Sequence, residues 1–163
     1  MSLRILITGG TFDKHYDAIR GELTFKESHL PNILKQARVT LPIAIEICLL
    51  KDSLQMNDED RSQILEACQR AVEKHIVIVH GTDTMVETAK KLGTVGLLKT
   101  IVLTGAMVPY AITESDALFN LGFALATAQC SPPGVYVAMN GQVWPWDKAL
   151  KNKLLGVFEK NYE

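Results

Sequence analysis

Thr8-Gly9-Gly10-Thr11, His80-Gly81-Thr82-Asp83-Thr84 and Thr104-Gly105-Ala106-Met107 are the segments whose residue types could do chemistry. Glycines permit a tight turn and let backbone N–H groups approach a ligand closely. Thr11 follows such a turn, and its hydroxyl is a nucleophile if a neighbouring group takes its proton. At the second segment, Asp83 could orient a substrate ammonium while Thr82 works on a carbonyl held beside it. Plainer readings stand next to these. Thr11 could simply cap a helix, and Thr and Asp are favoured N-cap residues in any case. The third segment could shape a pocket floor or only pack. His80 reads as a hydrogen-bonded structural histidine, since no Cys or His is spaced to join it around a metal. A dinucleotide turn would need a third glycine soon after Gly10. Phe12, Asp13, Lys14 and His15 stand there instead, and Asp13 would repel a pyrophosphate.

Positioning such segments takes a rigid frame. Apolar, β-branched runs at 4–8, 44–49, 76–79, 100–103 and 134–138 each end in a turn or helix start. Their continuity predicts strands buried on both faces, as in parallel sheets. Residues 58–74, 83–92 and 114–128 carry helical patterns, with Thr84 and Glu87 resembling a capping box. The alternation predicts one three-layer α/β/α domain over residues 1–163, with a mostly parallel, Rossmann-like or flavodoxin-like sheet. Ligands bind such sheets at the carboxyl ends of the strands, where all three glycine–threonine segments fall. Residues 13–28 are polar and read as a mobile loop. Residues 140–163, with Trp144-Pro145-Trp146, read as an extended tail too short for a second core.

Composition narrows the partners. Hydrophobic residues make up 47% and charged residues 21%, and the net charge is −1. That balance fits a globular protein and gives no reason to expect nucleic acid or membrane as a partner. The first apolar run is too short for a signal-peptide core, and nothing approaches the roughly 20 apolar residues of a membrane span. Cys48, Cys68 and Cys130 are odd in number and far apart, so buried free thiols in a reducing cytoplasm are expected.

These pieces, in this order, resemble the L-asparaginase family. TGGTF at 8–12 is similar to its first signature and HGTDTMVETA at 80–89 to its second. TGAMVP at 104–109, SDALFNL at 115–121, DSLQMND at 52–58 and VAMNGQV at 137–143 resemble further family segments. The resemblance implies Thr11 as the acylated nucleophile and Thr82 as a second catalytic threonine working with a lysine. Counting forward from Met139-Asn140 makes that lysine Lys151, ahead of Lys148. It implies Asp83 for the substrate α-amino group and Ser53 for the α-carboxylate. Leu23 stands where the family has a loop tyrosine, so Tyr16 is the candidate substitute. Leu54-Gln55 replaces a polar pair ending in aspartate. The family's carboxyl-terminal domain, which closes the site from a neighbouring subunit, is not in this sequence.

The expected activity is hydrolysis of L-asparagine, or a related small amide, to the acid and ammonia through an acyl-threonine, with no cofactor and no metal. The alternative is a ligand-binding or assembly module that keeps the pocket with weak or no catalysis. A homodimer is expected through the apolar helix at 114–128 or the tail near Trp144.

Overall fold

A computed structural model describes residues 1–162. Its centre is a six-stranded sheet built from β1 (Leu3–Gly9), β4 (Ile43–Lys51), β5 (His75–Val79), β6 (Thr100–Thr104), β7 (Gly134–Met139) and β8 (Gln142–Pro145). Across the sheet the order is β4-β1-β5-β6-β7-β8. All neighbours run parallel except β8, which returns antiparallel along β7. The first five follow the flavodoxin order, and the order reverses between β1 and β5.

Alternate residues of each strand feed two cores. Leu6, Ile76, Ile78, Ile101, Leu103, Val135 and Val137 face one side, which α2 (Asp58–Arg70) and α3 (Met85–Gly93) cover with Ile64, Ala67, Ala89 and Leu92. Ile5, Ile7, Val77, Val79 and Val102 face the other, covered by α1 (Leu30–Gln36) and α4 (Ala117–Cys130) through Leu30, Ile33, Leu121 and Ala124. The three layers expected from sequence are therefore present.

Several local expectations are corrected. The helix expected over 58–74 stops at Arg70, because Ala71 turns extended to deliver the chain to β5, and Val72 beyond it is exposed. The capping box lies at Asn57 and Asp60, whose side chains accept from each other's backbone N–H. Thr84 makes no side-chain cap on α3, since its hydroxyl donates to the Ser53 carbonyl, and Glu87 pairs with Arg61 instead. Helix α4 begins at Ala117, after Glu114 adopts a positive φ. Cys68 is buried, but Cys130 is exposed at the end of α4.

Residues 13–28 contain a short hairpin, β2 (His15–Asp17) paired with β3 (Glu22–Thr24). Residues 140–162 are more built than a tail. After β8 come β9 (Ala149–Asn152) and β10 (Val157–Lys160), an antiparallel pair. Trp144, Ala149 and Phe158 join the first core, so this segment is anchored by burial.

Candidate active site

The turns after β1 and β5 flank the point where strand order reverses, and glycines press them together. Gly9 and Gly10 both have positive φ. A Cβ on Gly9 would lie 2.5 Å from the Lys51 backbone nitrogen, and one on Gly10 would overlap the Gly81 backbone. A Cβ on Gly81 would lie 2.5 Å from Ser53 Oγ. The three turns carrying Thr11, Thr82 and Ser53 thus touch through positions where a side chain would not fit. Lys14 adds an ion pair to Asp52 at 2.7 Å, tying the Thr11 segment to the Ser53 turn. That pair, with the Leu54 N–H, holds the Asp52 carboxyl below the usual carboxylate range.

Lys151 reaches into this cluster from β9. Its Nζ donates to Thr82 Oγ1 at 2.8 Å and to Asp83 Oδ1 at 2.7 Å. The lysine side chain is 11% exposed and the Asp83 side chain 36%. Thr82 is buried, and its hydroxyl donates to Met107 Sδ at 3.6 Å. A hydroxyl, an ammonium and a carboxylate therefore form one hydrogen-bonded triad at the sheet's carboxyl edge. It can exchange a proton and can bind a cation at Asp83. Lys148 is not part of it; its backbone N–H donates to the Pro145 carbonyl. The Thr11 hydroxyl has no hydrogen-bond partner among the described residues. Tyr16 lies on β2 directly opposite Leu23 on β3 and is 63% exposed.

His80 belongs to the frame. It is fully buried, its Nδ1 donates to the Gly81 carbonyl at 2.7 Å, and its Nε2 accepts from Thr88 at 2.8 Å. Burial pushes its pKa down to about 4, so the ring is neutral and braces the Gly81 turn.

A second network went unread in the sequence. Asp116 accepts from the backbone N–H of Met107 and Val108 and from Asn120 Nδ2, and Asn120 Nδ2 also donates to the Gly105 carbonyl. Asn120 Oδ1 accepts from Asn140 N, and Asn140 Oδ1 accepts from Phe158 N. Phe158 pairs with Lys151 across the β9–β10 ladder. The polar residues of SDALFNL thus hold both Met107 and the hairpin that delivers Lys151. An Asp and an Asn four apart on one helix face, Asp116 and Asn120, were the available signal. Among the described residues no group of three or more His, Cys, Asp or Glu is arranged to hold a metal ion. No described helix is long and apolar enough to cross a membrane.

The family description "Asparaginase, N-terminal" matches residues 2–154. The L-asparaginase of Thermococcus kodakarensis is 32% identical over 96% of this chain and 49% of its own length. Its solved structure superposes with a TM-score of 0.88, covering 100% of this chain and 52% of that one. A structure described as a probable cytoplasmic L-asparaginase from Campylobacter jejuni is 30% identical, with a TM-score of 0.81 over 98% of this chain and 52% of its own. L-asparaginase 1 of Escherichia coli is 31% identical over 80% of this chain and 41% of its length. The chain thus spans about half the length of these relatives, or less. With its amino-terminal-domain description matched over residues 2–154 and its whole fold superposing on half of a solved L-asparaginase, the chain belongs to the asparaginase family, as its amino-terminal domain.

Proposed function

We propose that this domain is an amidohydrolase that cleaves the side-chain amide of L-asparagine, or a related small amide, to the acid and ammonia. The observation that carries the reading is Lys151 Nζ bonded to both Thr82 Oγ1 and Asp83 Oδ1 beside the turn that presents Thr11. In this mechanism the substrate ammonium docks on Asp83 and its carboxylate on Ser53. The Thr11 hydroxyl attacks the amide carbon, its proton passes to the leaving nitrogen, and ammonia departs from an acyl-threonine. Water, deprotonated through Thr82 and Lys151, then cleaves the ester and restores the Thr11 hydroxyl. The proton taken from that water through Thr82 to Lys151 Nζ returns to the Thr11 oxygen as the ester bond breaks. Tyr16 would serve as the loop tyrosine from the strand opposite Leu23, and the setting is the cytoplasm.

The domain acts as a homodimer in this reading. Helix α4 has no charged residue among its 14, and its outer face shows Leu118 and Phe119, the latter stacked on Phe123. Trp144 is spent on the chain's own core, which leaves α4 as the contact. A dimeric mass by light scattering at micromolar concentration is expected; a monomer would refute this contact.

A ligand-binding or assembly module with weak catalysis is the second reading. It is favoured by the apolar Leu23 at the tyrosine position and by the exposure of Tyr16. Ammonia release from asparagine, glutamine and small amides, by wild type and Thr11→Ala, separates the two. Release lost in the variant supports the enzyme; equal and negligible release leaves the binding module.

A further inference from the structure

The hairpin that begins at His15 is fastened by a pair of stacked imidazoles. The rings of His15 and His29 lie 3.9 Å apart at an interplanar angle of 25°. His15 Nε2 donates to the Glu27 carbonyl at 2.8 Å. His29 lies at the entrance to α1, its backbone N–H donates to Asp13 Oδ1 at 3.0 Å, and its ring packs on Tyr110 at 5.1 Å. Its Nε2 is buried with no protein partner, as is Asp13 Oδ2.

We propose that the His15–His29 stack is a pH-sensitive latch that holds hairpin β2–β3 against the body of the domain near neutral pH and releases it as the pH falls. An imidazolium donates from both nitrogens. A proton added to His29 therefore leaves a charged, buried Nε2–H with no protein acceptor, whichever nitrogen held the first proton. Burial first and the neighbouring His15 second lower its pKa, against the opposing pull of Asp13 and Glu27. The groups facing the ring are thus His15 on β2, Asp13 in the turn after Gly10, Glu27 before α1, and the uncharged Tyr110 ring after β6. A released hairpin frees the ring to water, where it titrates normally near 6.5. The released state binds more protons below that pH, so acid favours it. The hairpin begins four residues after Thr11, so release loosens the segment beside the proposed nucleophile.

Hydrogen exchange of the intact protein tests this, read on a peptide covering residues 14–25 and corrected for intrinsic rates. Residues 75–79 of β5 serve as the reference for global opening, because buried His80 also responds to acid. One proton taken up on release raises the open population by up to about tenfold from pH 7.5 to pH 5.5, the limit in which the held ring stays neutral throughout. In His29→Phe, which keeps a ring for stacking, the hairpin's pH dependence should vanish. An NMR titration of the His29 ring in the wild-type protein gives a second reading that needs no variant, with a midpoint expected below 6.5. Hairpin protection that is flat with pH in wild type, an unchanged slope in His29→Phe, or a His29 midpoint at or above 6.5 would each overturn the latch. Neither measurement uses substrate, so its failure is distinct from failure of the amidohydrolase reading.

Discussion

Replacing Lys151 with Met separates chemistry from binding. The methionine keeps most of the apolar stem but removes the donor to Thr82 Oγ1 at 2.8 Å and to Asp83 Oδ1 at 2.7 Å. A positioned acid–base group contributes roughly 10²–10⁴ in rate, which corresponds to about 3–5 kcal/mol of barrier. Binding should change far less. Asp83 loses one cation but is 36% exposed, so water can solvate it, and the substrate ammonium meets less competition there. Aspartate affinity should therefore stay within about tenfold of wild type, about 1.4 kcal/mol. The ion pair is partly exposed, so folding stability should fall by about 1 kcal/mol or less. The assays are ammonia release under saturating asparagine, calorimetric titration with aspartate, and urea denaturation. A Lys151→Met protein that turns over within tenfold of wild type would refute the proton-transfer role. One that fails to bind aspartate while folding normally would show that Lys151 binds substrate and does not serve chemistry alone.

Other perturbations read other parts of the construction. Asp83→Ala should lose aspartate binding in the same calorimetric titration, because the substrate ammonium would be left without its counter-charge; wild-type affinity would overturn the ammonium assignment. Gly10→Ala should destabilise by roughly 2–4 kcal/mol, from the positive φ at that position and from overlap with the Gly81 backbone. Thermal melting should show this as a drop of about 5–15 °C, and an unchanged melting temperature would refute the close packing of the two turns. Acid should act in two windows. His80 is neutral when folded, with its pKa lowered to about 4, whereas the unfolded chain takes up that proton near 6.5. Its contribution is therefore intact above pH 6.5 and declines as the pH falls toward 4, by about 2 kcal/mol between pH 7 and pH 5. Asp52, Asp60 and Glu73 have lowered pKa values set first by Lys14, Lys51 and Arg4, so their contributions are present above the ordinary carboxylate range and are lost only at more acid pH. Denaturant titrations from pH 7 to pH 3 check this order; stability that stays flat from pH 7 to pH 5 would contradict it.

Strands β1, β5 and β6 were legible because each is buried on both faces, and burial on both faces writes a continuous apolar run; the run at 44–49 misled on burial, since β4 is an edge strand with Ile45 and Ile47 exposed. Their order was not written in the runs; it follows from which helices cross which face. Helix α1 escaped notice because seven residues with Pro31 near the start carry no sustained stripe. Strands β8, β9 and β10 escaped because each has four residues and sets Pro145, Lys151 or Lys160 beside Trp144, Ala149 or Phe158, whose burial only the folded chain reveals. At the site, glycines and threonines marked the turns after β1 and β5, where strand ends alone place them together. Lys151 lies 69 residues from Thr82, and no local spacing distinguishes it from Lys148. Family resemblance selected it, and the β9–β10 ladder shows the physical reason: Lys151 shares an inward face with buried Phe158. The Lys14–Asp52 tie and the Asp116–Asn120–Asn140 chain join distant segments through single side chains, a kind of contact that periodicity does not encode.

The central claim is that a hydroxyl at Thr11, set beside the Thr82–Asp83–Lys151 triad, performs amide hydrolysis in this chain as it stands. Its most direct measurement is ammonia release from asparagine by purified wild type and by Thr11→Ala, with both proteins shown to be folded and to bind aspartate alike. Release by wild type above the uncatalysed background is expected, with a loss of at least about a thousandfold in the variant. Equal release from the two proteins, whether high or negligible, would contradict it.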